Sequence, residues 1–417
     1  MVLRSLLLNF AVVLFVGACA ASEDDQLAWQ DDVDAYAEQL EARHLNLFHT
    51  LGEDVFRAEV ARLRQDGTRW SKEERVVALM RLTRRIGDGH TSIPLWGEEL
   101  RRYPIEFTIV EDAVRVTGAD DRRRDLLGQT LTAINSVPIT EIFAQLAEIV
   151  PFVENDQSLK VRIGMYLPIE DILVGLGIVE RGRPTTFTFD NEGMEHITAI
   201  AALDQKAHQA LEMTRLSSVR PDDIFALVDR ASNDLWFGAS EGKETVYIRF
   251  DRYPGYDAMQ PFGEDLQRFI NRHQSSHLII DLRNNFGGDF FVGLALASYL
   301  NLADSIEWEE GVYVLVGPKT FSAAMSNAVQ FKQILGARWV GEAPGARPCG
   351  YQDMGQFTLP RSELVVTHSK RYFCFIDTED DSLQPDVLVP ARFDDLLAER
   401  DSVLTWVMGD IAGQLAN

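Results

Sequence analysis

Three short stretches of this chain carry side chains whose types and spacing suit acyl-transfer chemistry. The first centres on Ser322. An apolar strand over residues 312–316 runs through a Gly317-Pro318 turn into Thr320-Phe321-Ser322-Ala323-Ala324, and a helical run follows to about Leu335. The free N–H groups and positive dipole end of a helix's first turn stabilise an alkoxide or an oxyanion, so a serine at such a corner suits a nucleophile. The same corner also suits a plain helix cap by Thr320 or Ser322. The second stretch is Gly87-Asp88-Gly89-His90-Thr91-Ser92, where two glycines and an aspartate force a tight turn and present His90 from a loop. An imidazole is the side chain best suited to accept a hydroxyl proton near neutral pH, although a loop histidine is often only a solvated one. The third is Asp281-Leu282-Arg283-Asn284-Asn285-Phe286-Gly287-Gly288-Asp289 at the exit of a second strand. A Gly-Gly there lets the backbone approach a ligand and aim an N–H at it, half of an oxyanion hole; a tight turn needs the same glycines for its angles alone. It is not a phosphate loop, because the Lys-Ser/Thr pair is missing.

These stretches need elements to hold them. Residues 26–86 read as helices: Trp29, Val33, Tyr36 and Leu40 form one stripe, and Val55, Phe56, Val60 and Leu63 another. A third helix opens on the capping-box pattern Ser71-Lys72-Glu73-Glu74, carries Val76, Leu79, Met80 and Ile86, and stops at Gly87. From Tyr103 to about Ile200 short strands take over. Ile105, Phe107 and Ile109 alternate, Glu111-Asp112 turns the chain, and Val114 and Val116 return it. Residues 127–139 then give strand, turn and strand before a helix with Ile139, Phe143, Leu146 and Val150 on one face. That run resembles part of a PDZ domain, but no carboxylate-binding Gly-Leu-Gly-Phe type loop precedes it, so a structural module is expected. After a polar, helical connector over about 204–232, strands at 244–250, 277–282 and 313–316 alternate with helices at 263–272, 291–300 and 323–335, which argues for a layered α/β core.

Composition bounds the partners. With 40 Lys and Arg against 64 Asp and Glu the chain carries a formal charge of -24, which argues against nucleic acid or anionic lipid. Its 46% hydrophobic and 25% charged residues over 417 positions suit two or three globular domains. The N-terminus gives Arg4, an apolar run over 6–16 and Gly17-Ala18-Cys19-Ala20-Ala21, a secretory signal too short to span a membrane. Val16-Gly17-Ala18-Cys19 also resembles a bacterial lipobox, which would lipidate Cys19; ordinary cleavage after Ala18 or Ala20 is the other reading. Cys349 and Cys374 then remain, and the sequence leaves open whether they pair.

Taken together, residues 278–288, 320–324, 340–342 and 384–389 resemble, in order and spacing, the tail-specific (C-terminal-processing) serine peptidases. Residues 87–91 resemble the branch of that family with the tricorn core protease and the retinoid-binding repeats. The resemblance implies Ser322 as nucleophile and, as oxyanion donors, the N–H of Ala323 with that of Gly287 or Gly288. One branch takes its base from a lysine about twenty-five residues after the serine; here Arg347 and Pro348 occupy that window, and an arginine cannot accept the proton. Lys319 and Lys332 are poorly spaced. The tricorn-like branch delivers a histidine from the N-terminal region, which places the base on His90, and carries a glutamate at the position of Glu379, beside Asp380 and Asp381. Phe286 replaces a glycine usual in the family, and Gly89 stands where tricorn has a serine.

The expectation is therefore an α/β protein with a signal peptide at 1–18, an N-terminal helical region at 19–100, a PDZ-like β-rich module at 101–205 and a crotonase/ClpP-like catalytic core at 206–417. It would be an exported envelope serine peptidase acting on peptides or proteins, attached to the membrane only through a lipid on Cys19, with neither metal nor organic cofactor. The alternative is a non-catalytic relative whose cleft binds a hydrophobic ligand or peptide, with Ser322 and His90 too far apart to bond.

Overall fold

The computed structural model describes residues 23–216 and 221–416; the leader and Cys19 lie outside them. The chain opens with three helices, α1 (Glu23–Arg43), α2 (Glu53–Asp66) and α3 (Lys72–Arg84). Trp29, Val33, Tyr36 and Leu40 are all buried, as their spacing requires. Val55 departs from the expected stripe and is exposed, while its neighbour Phe56 is buried. Ser71 caps α3 with the reciprocal Glu74 bond of a capping box. Beyond α3 the chain turns at Gly87, where φ is +95° and a Cβ would sit 2.8 Å from Thr50 Oγ1, so glycine is required on both counts.

The next unit is a β-rich module. It contains β1 (Ile105–Val110), β2 (Ala113–Asp120), β3 (Thr130–Ile134), β4 (Val137–Pro138), α4 (Ile139–Ala147), α5 (Asp156–Tyr166), α6 (Glu170–Gly175), β5 (Thr185–Asn191) and β6 (Met194–Ile200). Its strands run in the order β1-β2-β3-β5-β6, with β4 paired to β3. Glu111 and Asp112 both take positive φ in the tight β1–β2 turn. One hydrophobic core runs from α1–α3 through this sheet. The segment expected to be a helical connector is mostly extended. Among the described residues its helical parts are α7 (Gln205–Gln209) and a short 3-10 turn (Pro221–Asp223); β7 (Met213–Arg215) pairs with β2, and β8 (Ala226–Arg230) joins the second sheet. Open strand edges elsewhere in the fold offer these polar residues backbone partners, which outweighs their weak helical pattern.

The second sheet holds β9 (Leu235–Ala239), β10 (Thr245–Phe250), β11 (His277–Asp281), β12 (Val312–Val316), β13 (Arg338–Gly341) and β16 (Val387–Leu388), in the order β16-β13-β12-β11-β10-β9-β8. From β10 to β16 it is parallel. Helices α8 (Tyr256–His273), α9 (Phe290–Leu300) and α10 (Ala323–Leu335) cover one face and α12 (Ser402–Leu415) the other, which is why β11 and β12 are apolar without alternation. Helix α8 begins well before the expected residue 263, because Pro261 sits near its exposed start, where the carbonyl that loses its partner faces water. A long hairpin, β14 (Cys349–Thr358) and β15 (Val365–Cys374), leaves this sheet and reaches the first core; α11 (Phe393–Leu397) lies near the C-terminus. Cys349 and Cys374 are disulfide-bonded across the ends of the hairpin.

Candidate active site

The strands β11 and β12 lie side by side, so the turns that follow them meet. Thr320 Oγ1 donates to the Leu282 carbonyl at 2.9 Å and accepts the Gly317 N–H at 3.0 Å, and Phe321 N–H donates to the Asn285 carbonyl at 3.1 Å. These bonds fix the corner on which Ser322 stands. Ser322 is the residue before α10, with φ 52° and ψ -125°, and its side chain makes no capping bond. That backbone region costs a non-glycine residue on the order of 1–3 kcal/mol. A hydroxyl that only capped the helix would need no such strain; here it is turned away from the helix and toward His90.

His90 Nε2 lies 2.8 Å from Ser322 Oγ, across 232 residues of sequence. The His90 loop is held by Asp88, whose Oδ1 accepts the N–H groups of His90 at 3.0 Å and Thr91 at 2.8 Å and the hydroxyl of Ser369 at 2.6 Å. Paired backbone bonds between Ser92 and Thr367 add the loop to β15. Burial alone would raise the Asp88 pKa, but bonds from His44, His49 and Ser369 outweigh it and hold the carboxyl well below its ordinary range. The imidazole stacks on Phe321, with ring centroids 5.4 Å apart. The separation expected of a ligand-binding relative is not found.

The third member corrects the sequence reading. Glu379 is exposed, in an acidic run where Asp381 pairs with Arg347 at 3.1 Å, and none of these acids reaches His90. Instead Glu154 Oε1 lies 3.1 Å from His90 Nδ1, both side chains being buried. The approach is off the line of the N–H, so the contact is a close polar one rather than a straight hydrogen bond. Glu154 Oε2 accepts the Arg347 N–H at 2.7 Å. Glu154 directly precedes Asn155, the cap of α5, so the helix's positive end supports its charge. Its room comes from Gly89, where a Cβ would lie 2.4 Å from Glu154 Cγ. No motif marks Glu154; the available signals were an acid closing the apolar run 149–153 and an unexplained glycine beside the histidine.

The Gly-Gly turn supplies the other half. A Cβ on Gly287 would lie 2.7 Å from Ser322 Cβ and 3.1 Å from Ala323 N, so only glycine fits beside the serine. Gly287 N–H is already bonded to Asn285 Oδ1 at 2.8 Å. Among the described residues the N–H groups of Gly288 and Ala323 have no hydrogen-bond acceptor, which leaves that pair free for an oxyanion. The serine opens into a cavity of about 770 Å³ whose walls include Trp96, Phe152, Phe286, Phe291 and Phe373. Lys319 lines a different cavity and Lys332 pairs with Asp386, so neither serves Ser322.

His44, His49 and Asp88 offer three potential metal-ligand atoms within 4.8 Å of one another. Their bonds argue for a brace. His44 Nδ1 accepts the Asn46 N–H at 3.0 Å, so a neutral ring carries its proton on Nε2 and donates it to Asp88 Oδ2 at 2.9 Å. A cation there would have to displace that proton and the Asn46 bond together.

No family model matches the chain, and no curated protein does. Among solved structures, mature CPAF complexed with lactacystin aligns over 94% of this chain and 99% of its own, at 11% identity and a TM-score of 0.67. Mature CPAF aligns over 92% and 96%, at 10% identity and a TM-score of 0.63. The photosystem II D1 C-terminal processing protease aligns over 88% and 94%, at 13% identity and a TM-score of 0.41. The chain thus has the α/β fold of CPAF over nearly its whole length, helical N-terminal region included.

Proposed function

We propose that the protein is a serine peptidase in which Ser322 attacks a peptide carbonyl with His90 as general base. The single observation that carries this reading is the 2.8 Å contact between His90 Nε2 and Ser322 Oγ, made by a serine whose backbone is strained and whose hydroxyl does not cap its helix. Ser322 Oγ–H passes its proton to Nε2 as Oγ bonds to the carbonyl carbon, and the carbonyl oxygen becomes an oxyanion facing the N–H groups of Gly288 and Ala323. The imidazolium, steadied through Nδ1 by Glu154, gives its proton to the leaving amine as the C–N bond breaks. Water then repeats the sequence on the acyl-enzyme with His90 again as base. The substrate is a peptide or protein; the acidic chain makes nucleic acid a poor partner.

We further propose export to the cell envelope and lipidation of Cys19, on the strength of the residue 1–21 pattern. An N-terminal mass on the mature protein tests this, an unmodified Cys19 or its absence counting against the lipid. For the activity, hydrolysis of fluorescently labelled casein is the test. Turnover lost in both Ser322→Ala and His90→Ala is expected; turnover that survives either substitution contradicts the assignment.

A further inference from the structure

Arg162 stands on α5, two turns beyond Glu154, in a setting that no other charged residue of the active-site cavity shares. It is 6% exposed and lines the cavity that holds Ser322. Among the described residues no carboxylate lies within 4.0 Å of its guanidinium, although such arginine–carboxylate pairs are common elsewhere, from Arg57–Glu41 to Arg400–Asp395. Its polar contacts are weak: Nε donates to the Phe152 carbonyl at 3.4 Å and Nη1 to the Met165 sulfur at 3.7 Å. Three rings surround Cζ, Phe286 at 4.4 Å, Phe152 at 5.3 Å and Phe321 at 5.4 Å. Burial lowers its pKa to about 10, which leaves it fully charged at neutral pH.

The other charges of the cavity are committed. Lys370 and Arg371 share Asp353 at 3.2 and 3.1 Å, and Asp289 accepts the Phe291 N–H at 3.0 Å. A protein with a formal charge of -24 therefore presents one buried cation, felt by Glu154 through space but in contact with no carboxylate, to the place where its substrate would sit. Aromatic faces offset only part of the lost hydration of a buried guanidinium, and a planar, bidentate carboxylate is the ligand its fork matches. The position is specific as well. Phe286 immediately precedes Gly287, and Phe321 immediately precedes Ser322, so Arg162 packs on the two turns that carry the Gly-Gly pair and the serine.

We propose that Arg162 is the specificity-determining residue of a carboxylate subsite beside the nucleophile, so that the preferred peptide places a carboxylate next to the bond to be cleaved. The proposal rests on the peptidase reading for its meaning but not for its test. The carboxylate has two possible sources, an acidic side chain within the peptide or the α-carboxylate of a peptide that ends just past the bond.

The test is equilibrium binding to the full mature chain carrying Ser322→Ala, which removes turnover. Two pairs of fluorescein-labelled hexapeptides serve as probes: one pair ends in a free acid or an amide, and the other has blocked ends and an interior Glu or Gln. Tighter binding of the acid member of one pair, by about tenfold or more, is expected of a charge-assisted bidentate contact. The pair that discriminates identifies the source. Adding Arg162→Met is expected to bring the two members within about twofold, with folding verified by circular dichroism; Arg162→Gln replaces it if that variant does not fold. No preference in either pair, no measurable binding of either acid at millimolar concentration, or a preference that survives loss of Arg162 overturns the proposal. Failure of the peptidase reading is seen separately, as an unreactive Ser322 in the unsubstituted protein.

Discussion

Glu154→Gln is the most informative single substitution, because its consequence follows from one hydrogen bond. Glu154 Oε2 accepts the Arg347 N–H at 2.7 Å, while Oε1 faces His90 Nδ1 at 3.1 Å. A glutamine of the same size must turn its carbonyl oxygen toward the Arg347 donor, which points its NH2 group at Nδ1. That nitrogen then has to be an acceptor, so the ring proton moves to Nε2, and Nε2 can no longer take the proton of Ser322. The loss combines the wrong tautomer with an unsteadied imidazolium, and an amide in this role costs about 10³- to 10⁴-fold in rate, or roughly 4–5.5 kcal/mol of barrier. Glu379→Gln, at an exposed site, is expected to stay within about twofold. The assay is the second-order rate of fluorophosphonate modification at pH 7, measured beside thermal unfolding of each variant. A Glu154→Gln protein that reacts at the parent rate, or a Glu379→Gln protein that falls as far, would refute the tautomer argument.

Three other outcomes are expected. Gly89→Ala puts a Cβ 2.4 Å from Glu154 Cγ and should push that carboxylate aside, lowering the modification rate by about 10²-fold while the fold survives. Gly287→Ala brings a Cβ to 2.7 Å from Ser322 Cβ at a φ of +105°, so modification should fall by about 10²-fold or more although Gly287 itself donates no oxyanion bond; an unchanged rate would mean the turn is not packed on the serine. Asp281 is buried and accepts from Arg283 Nη2 at 2.6 Å and Tyr247 Oη at 2.7 Å. Burial raises its pKa, Arg283 and Tyr247 lower it more, and the net shift is downward. Its stabilisation is thus complete above the unfolded carboxyl's ordinary value and fades as the pH drops below about 4. Asp281→Asn should cost about 3–5 kcal/mol in urea unfolding at pH 7 and less at pH 3; an equal cost at both would contradict the ion-pair account.

The parts of this protein that were legible in its sequence are those whose causes are local. Helix α10 follows from an apolar stripe after a Gly-Pro turn, the β1–β2 hairpin from alternation around Glu111-Asp112, and the Ser71 cap from its own motif. Ser322 and His90 stood out because sharp turns leave a mark on sequence, and the structure brings them to 2.8 Å. Glu154 left no mark. It lies in the loop between α4 and α5, reaches His90 only because the first core docks that loop beside residues 344–347, and is fixed there by an Asn155 bond to the Pro344 carbonyl at 3.0 Å. Such a contact depends on tertiary packing, and the acidic run around Glu379 offered a decoy with better sequence position and no burial. The same holds for β7 and β8, whose strands exist because distant edges needed partners.

The central claim is that Ser322 is an activated nucleophile with His90 as its base. Incubation of the purified protein with a fluorophosphonate probe, followed by mapping of the modified peptide by mass spectrometry, tests it most directly. A single adduct on Ser322 that disappears in His90→Ala is the predicted result. A folded protein that stays unmodified, or an adduct on Ser322 that persists without His90, would contradict the account.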